Sequence, residues 1–165
     1  MKKIFNLMMM VVMMAAMTVA TASCGDDEES GSTPSAAGNV AGDYSGVMNM
    51  SLPAMPGIAI DPFATTVKIA AGSDGTATLT LPGASYNMGG TDMVIAGFTM
   101  KGVSVASSGN GAYTIGPAEI DLEVDGKEYR GALNGTVTGG KLALTYSLKV
   151  GKMPFDLVFK FTDNK

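Results

Sequence analysis

The sequence has no histidine, no tryptophan and one cysteine among its 165 residues. Without histidine there is no imidazole base, no Ser–His or Cys–His pair and no histidine metal site. The aspartates Asp61, Asp74 and Asp92 do not have the spacing of a calcium-binding loop. The glycine pair Gly89-Gly90 lacks the strand-to-helix context of a phosphate-binding loop. We therefore expect no catalytic residue, no metal and no cofactor, and we do not expect an enzyme.

Charge is also scarce, and it does not select a partner. The chain has 11 basic and 15 acidic residues. Two of the basic residues, Lys2 and Lys3, lie at the N-terminus, and four of the acidic ones lie in the run 26–29, which leaves nine basic and eleven acidic residues elsewhere. With a net charge near −2 and no basic field, the remaining chain is not expected to bind nucleic acid.

The N-terminal segment has the layout of a secretory signal peptide. Lys2 and Lys3 precede the apolar stretch 4–20, and small residues follow it directly. A transmembrane helix is the alternative, because the stretch approaches the roughly 17 to 25 residues needed to span a bilayer. The small residues that follow, and the lack of a basic cluster beyond them, favour the signal peptide. We predict a signal peptide over residues 1–23.

The single cysteine, Cys24, has two interpretations. Ala20-Thr21-Ala22 fits the small-x-small pattern for cleavage before Ser23, which would leave a free thiol. The run Thr21 to Cys24 instead resembles a bacterial lipobox, with Thr21 where leucine is usual, and then Cys24 is lipidated. We favour lipidation, because an unpaired thiol is a liability in an oxidising compartment. Acyl chains, at about 0.8 kcal/mol per buried CH₂, would anchor the chain to a membrane.

The residues after the cysteine are typical of a tether. The acidic run Asp26 to Glu29 resembles the surface-export signal of lipoproteins from some Gram-negative anaerobes, and it also fits a solvated, self-repelling spacer. Ser30 to Asn39 holds only small and polar residues, which favours a flexible linker. We predict a tether over residues 24–39, and a protein lipid-anchored in the outer membrane and exposed at the cell surface.

Residues 40–165 are predicted to form one all-β domain. Apolar residues alternate with polar ones, most clearly over 44–52 and 142–150, and no helical period follows the signal segment. As a two-residue turn, Asp125-Gly126 pairs Leu122 with Tyr129, and Gly139-Gly140 pairs Val137 with Leu142. The two turns independently place Leu133 on the inward face. A three-residue loop at Ser73-Asp74-Gly75 would pair Ile69 with Leu79.

Other segments give weaker signals. Three prolines interrupt the apolar segment 54–64, which we interpret as a loop packed on the barrel end. Residues 82–92 are glycine-rich and are predicted to be irregular. Residues 93–105 are predicted as a strand with a bend or bulge at Gly97 and Gly102. A short strand over 112–115 is expected to end at Gly116-Pro117.

These elements predict an antiparallel meander of about eight to ten strands, which closes most simply as an up-and-down β-barrel; a two-sheet sandwich is the alternative. Three segments, Val40 to Gly46, Gly131 to Thr145 and Met153 to Phe159, resemble the calycin-like (lipocalin-like) β-barrel domain of bacterial surface lipoproteins. That resemblance implies a barrel whose mouth holds a small apolar ligand.

The inward faces of the predicted strands supply candidate ligand-lining residues, with Gly46, Gly131 and Gly135 leaving space between them. Methionine and tyrosine form adaptable pockets with hydroxyls that orient a ligand, but the same side chains can simply fill a small barrel. The filled barrel would fit a structural or interaction lipoprotein, with an exposed apolar patch around Met55 to Phe63 and an unknown protein partner. The candidate lining residues are Tyr44, Met48, Met50, Tyr129, Leu133, Tyr146 and Leu148.

Overall fold

The computed structural model of the protein describes residues 35–164, which contain one short helix and eleven strands. Strands dominate because apolar and polar residues alternate with the two-residue period of a pleated strand. The elements are α1 (Ala36–Val40), β1 (Gly42–Ser51), β2 (Phe63–Ala71), β3 (Ala77–Leu81), β4 (Ala84–Met88), β5 (Thr91–Ile95), β6 (Phe98–Val103), β7 (Val105–Gly109), β8 (Ala112–Val124), β9 (Lys127–Thr138), β10 (Lys141–Val150) and β11 (Leu157–Asp163).

Nine of these strands form one antiparallel sheet in the order β6-β3-β2-β1-β11-β10-β9-β8-β7. Apart from the separate β4–β5 hairpin, neighbours in the sheet follow neighbours in the chain, and β11 pairs with β1. The two outer strands, β6 and β7, are separated in sequence only by Ser104, whose carbonyl accepts a hydrogen bond from the Gly116 N–H at 2.9 Å. β6 and β7 therefore form one extended run of chain. Its first half, β6, pairs with β3, and its second half, β7, pairs with β8. The run joins the two edges of the sheet and nearly closes it. The predicted up-and-down barrel is confirmed.

The turns set the predicted register. Leu122 pairs with Tyr129 across Asp125-Gly126, and Val137 pairs with Leu142 across Gly139-Gly140. All four turn residues have φ between 50° and 76°, the left-handed values that such tight hairpin turns require. Ile69 pairs with Leu79, also as predicted. This register places Leu133 in the interior, where it is completely buried.

Two weakly predicted segments differ from expectation. Residues 82–92 are not irregular, because β4 and β5 form a hairpin whose turn is Gly89-Gly90, both at positive φ. Strand β8 does not end at Gly116 but continues to Val124, with a register irregularity between Ile115 and Ala118. That irregularity accommodates Pro117, which has no N–H to offer a regular ladder. The predicted bulge at Gly102 is confirmed, with φ of 71° beside a shifted register in the β3–β6 pair.

The helix α1 begins within the stretch predicted to be a tether. The Ser35 side chain accepts a hydrogen bond from the Gly38 N–H at 3.1 Å and caps the helix, and Ala37 and Val40 are completely buried. The Tyr44 hydroxyl donates to the Val40 carbonyl at 2.7 Å, which fastens the helix to β1. Five residues are too few to show a helical period in the sequence. The signal segment, Cys24 and the acidic run lie outside the described residues.

The barrel has two distinct ends. At the end that we call the helix end, α1 packs beside β2 and β7, close to where β1 begins and β11 stops. At the opposite end, which we call the hairpin end, β3 leads through the β4–β5 hairpin to β6. The turn between β8 and β9 and the connection from β10 to β11 lie at that end as well.

Candidate functional site at the hairpin end

The structure brings all seven candidate lining residues together in the barrel interior. None of them is more than 6% exposed, and Met48, Leu133 and Leu148 are completely buried. None of the seven lines any of the surface clefts described below. Their inward orientation is as predicted from the alternation, and their role toward a ligand stays a prediction.

Aromatic rings occupy the middle of the barrel. The rings of Tyr146 and Phe159 stack with centroids 4.6 Å apart, and Phe98 packs edge-on against Tyr146 at 6.2 Å and Tyr129 at 5.6 Å. Such pairs add stability beyond the area that they bury. Burial raises the pKa of the Tyr146 hydroxyl far above its ordinary range, because the phenolate would lie in an apolar interior. The interior around these rings is a packed core.

The inward glycines do not leave the space that was predicted. A Cβ at Gly46 would lie 2.8 Å from the tip of the Phe161 ring, and one at Gly135 would lie 2.7 Å from a methyl group of Leu144. The prediction was wrong because a residue without a side chain lets its cross-strand neighbour fold over it. These glycines allow close packing of the core.

The β4–β5 hairpin covers the hairpin end of the barrel. Its inner face carries Tyr86 and Ile95, which are buried in the core, and Met93, which is half-buried. Its outer face carries Val94, the one large apolar side chain that is exposed among the described residues, at 64%. At the base of the hairpin, a Cβ at Gly97 would lie 2.8 Å from the Leu81 carbonyl oxygen. Only glycine permits this close backbone approach, so the hairpin folds back tightly over the barrel.

Tyr129, one of the candidate lining residues, fastens this hairpin. Its hydroxyl accepts a hydrogen bond from the Ala96 N–H at 2.9 Å and lies 3.5 Å from the Ala96 carbonyl, to which it donates. Burial raises the pKa of Tyr129, and the hydrogen bond from Ala96 opposes part of that rise. The hydroxyl is therefore held neutral and joins the core of the barrel to the base of the hairpin.

Tyr86, by contrast, has a buried hydroxyl without a hydrogen-bond partner among the described residues. The residue is 5% exposed, and burial raises its pKa. Buried polar atoms are nearly always paired, and an unpaired one costs about 1–3 kcal/mol. Sequence reasoning missed Tyr86 because its segment was predicted to be irregular, although the alternation of Ala84 and Tyr86 with Ser85 and Asn87 was a usable signal.

A cleft of about 580 Å³ lies between the hairpin and the barrel rim. Met93, Val150 and Met153 supply its apolar wall, and Lys127, Glu128 and Lys152 its charged groups. Met93 pairs directly with Tyr86 across the hairpin, so the two side chains share the inner face. An adjoining cleft of about 300 Å³ shares Glu128 and residues 151–153 and adds Arg130 and Lys149. The larger cleft has the size of a small-molecule site.

Another cleft, of about 500 Å³, lies on the outer side of the hairpin base, where Asp61, Phe63 and Val94 line it. The large side chains of the adjacent segment, including Met55, Ile60 and Phe63, are half-buried and pack against the core. The exposed apolar patch predicted for Met55 to Phe63 is therefore not formed, because these side chains fold inward.

The charged groups beside the larger cleft are partly paired. Arg130 lies 3.3 Å from Glu128 and 3.8 Å from Asp121, and all three side chains are well exposed. Glu123 and Glu128 face each other in the ladder, as predicted, and Arg130 offsets the charge of Glu128. Within residues 35–164, no group of three or more acidic or cysteine side chains is placed to hold a metal ion. In the same residues, no helix has the length and hydropathy needed to cross a bilayer.

Comparisons with known proteins agree with this architecture. The model of the calycin-like beta-barrel domain family matches residues 40–164. A crystal structure of a "putative outer membrane protein" from Bacteroides fragilis NCTC 9343 superposes with a TM-score of 0.64 at 25% sequence identity, over 81% of this chain and 54% of that one. The chain thus spans about half the length of that neighbour. No curated protein matches the chain. With its family model matched across nearly the whole barrel, the chain belongs to the calycin-like β-barrel domain family.

Proposed function

We propose that the protein is a lipoprotein, anchored through Cys24 in the outer membrane and exposed at the cell surface, that binds a small amphipathic molecule under the β4–β5 hairpin. The proposed role is binding without catalysis. The observation that carries it is the cleft of about 580 Å³ that Met93 lines from the hairpin, with apolar and charged side chains on the same wall.

The cleft supports a ligand with both apolar and polar parts. Met93, Val150 and Met153 offer an adaptable apolar wall, because methionine side chains fit irregular shapes. Lys127, Glu128 and Lys152 line the same cleft and offer charged groups to the polar part of a ligand.

The chain enters the barrel domain through α1, at the helix end, and the cleft lies at the opposite end of the barrel. The outer-membrane part of the proposal draws on the lipobox and acidic run of the sequence, and on the name of the Bacteroides fragilis neighbour.

A second candidate is an accessory protein of a cell-surface assembly that holds no ligand. The packed barrel interior favours it, since the rings of Tyr146, Phe159 and Phe98 occupy the centre. The cleft of about 580 Å³ favours the binding role, because it has the size of a small-molecule site.

Native mass spectrometry of the protein purified from its host membranes tests the proposal. We expect a co-purifying small molecule in the wild type and a much lower occupancy in Met93→Trp, which fills the cleft. Val94→Trp is the matched control, because it introduces the same side chain at the next residue, on the exposed outer face. A ligand that survives Met93→Trp but is lost in Val94→Trp would move the site to the outer cleft. No ligand in the wild type would favour the accessory role.

A further inference from the structure

The basic residues of the barrel domain are concentrated at the proposed ligand site. Residues 35–165 hold nine basic and eleven acidic side chains. Four of the nine, Lys127, Arg130, Lys149 and Lys152, line the two adjoining clefts at the hairpin end. Of the eleven acidic residues, Glu128 alone lines those two clefts. A domain of net negative charge therefore carries a locally positive rim.

The cations of this rim are not equivalent. Arg130 is held by Asp121 and Glu128, so its charge is already offset. Lys127, Lys149 and Lys152 form no ion pair within residues 35–164, and all three are exposed. Lys149 lies near the end of β10 and Lys152 in the connection that follows it. The pairing of Val150 with Tyr129 brings Lys127, at the start of β9, to the cleft that Lys152 also lines.

An apolar wall lies beside two of the three lysines. Met93, Val150 and Met153 border the larger cleft, which Lys127 and Lys152 also line, whereas Lys149 lines only the adjoining smaller cleft. Clefts with an excess of one sign of charge raise the local concentration of the opposite charge. A molecule complementary to this arrangement has an apolar part against the methionines and a negative charge toward the lysines.

We infer that the ligand is a single-chain anionic amphiphile whose charged end lies between Lys127, Lys149 and Lys152 and whose chain extends under the β4–β5 hairpin. This inference rests on the proposed function and adds the sign of the ligand's charge and the residues that recognise it. Exposed charge pairs contribute modestly, so each lysine supplies about twofold in affinity and the three together about tenfold.

Equilibrium binding of radiolabelled decanoate and decanol tests the inference. The lipid-anchored protein is held in nanodiscs of neutral phospholipid, and the signal of empty nanodiscs is subtracted. We expect decanoate to bind about tenfold more tightly than decanol at low salt. Raising the salt concentration from 50 to 500 mM should remove most of that difference, because exposed charges are screened. Replacing Lys127, Lys149 and Lys152 by glutamine should weaken decanoate binding about tenfold and leave decanol binding unchanged.

The matched control replaces Lys101, Lys141 and Lys160 by glutamine, which changes the net charge equally at exposed positions outside both clefts. Equal loss of decanoate binding in this control would overturn the inference, since net charge alone would then explain the preference.

If decanol binds as tightly as decanoate and Met93→Trp blocks both, the inference fails and the proposed function stands. If neither probe binds, both fail. If vesicles of phosphatidylglycerol retain the nanodiscs through the three lysines, the rim binds a lipid surface, which also overturns the inference.

Discussion

The buried hydroxyl of Tyr86 gives a sharp test of the packing between the β4–β5 hairpin and the barrel. In the unfolded chain this hydroxyl is hydrated, whereas in the barrel it is buried without a partner among the described residues. Since burying an unpaired hydroxyl costs about 1–3 kcal/mol, Tyr86→Phe should raise the free energy of unfolding by about 1 kcal/mol. For a domain of this size, that gain corresponds to an increase of about 3–5 °C in the melting temperature.

Tyr129→Phe is the matched control, because it removes a hydroxyl that is hydrogen-bonded. The Ala96 N–H donates to Tyr129 at 2.9 Å and would lose its partner at the base of the hairpin. We expect Tyr129→Phe to lower the free energy of unfolding by about 1–2 kcal/mol. The same substitution at two buried tyrosines should therefore change stability in opposite directions.

Urea unfolding of the full-length wild type and both variants, followed by far-ultraviolet circular dichroism, measures the difference. A shift in the urea midpoint without a change in slope reports stability alone. The reasoning is refuted if Tyr86→Phe lowers the urea midpoint as Tyr129→Phe does, since the Tyr86 hydroxyl would then have a structural partner.

Two further predictions concern the anchor and the core. Cys24→Ala should abolish the incorporation of labelled palmitate, and persistent labelling would contradict the lipobox interpretation in favour of another acylated group. Burial raises the pKa of Tyr129 and Tyr146, and of Tyr44, where the nearby Asp163 charge adds to the rise. The unfolded state therefore releases its tyrosine protons first, near pH 10, and the free energy of unfolding should fall as the pH rises above about 10. Urea midpoints between pH 8 and 11 measure this fall, and Tyr146→Phe should make it shallower.

The parts of the fold that could be predicted from the sequence are those with redundant local signals. Asp125-Gly126 and Gly139-Gly140 each set a register, and both registers place Leu133 inward, so an error in one would have conflicted with the other. The hairpin of β4 and β5 had no second constraint. The alternation over residues 84–88 is short, and no second turn or strand pairing in the sequence supports it.

The candidate site could not be predicted in the same way, because it depends on contacts between distant segments. Lys127 and Lys152 meet at one cleft only because β9 pairs with β10 in the observed register. The lack of a partner for Tyr86 is a property of the folded neighbourhood, which the sequence around residue 86 does not determine. The inward face of the barrel was predictable from alternation, but how completely side chains fill it was not.

The packed interior explains why the candidate site lies at the end of the barrel. Gly46 and Gly135 let Phe161 and Leu144 close over them, so the glycines tighten the core. A ligand could enter that core only by displacing stacked rings, which would cost stability in a domain held by packing alone. At the hairpin end, by contrast, the cleft is bounded by one hairpin, one turn and one connection. Loops can change without disturbing the core, so ligand preference at this end can vary while the barrel stays intact.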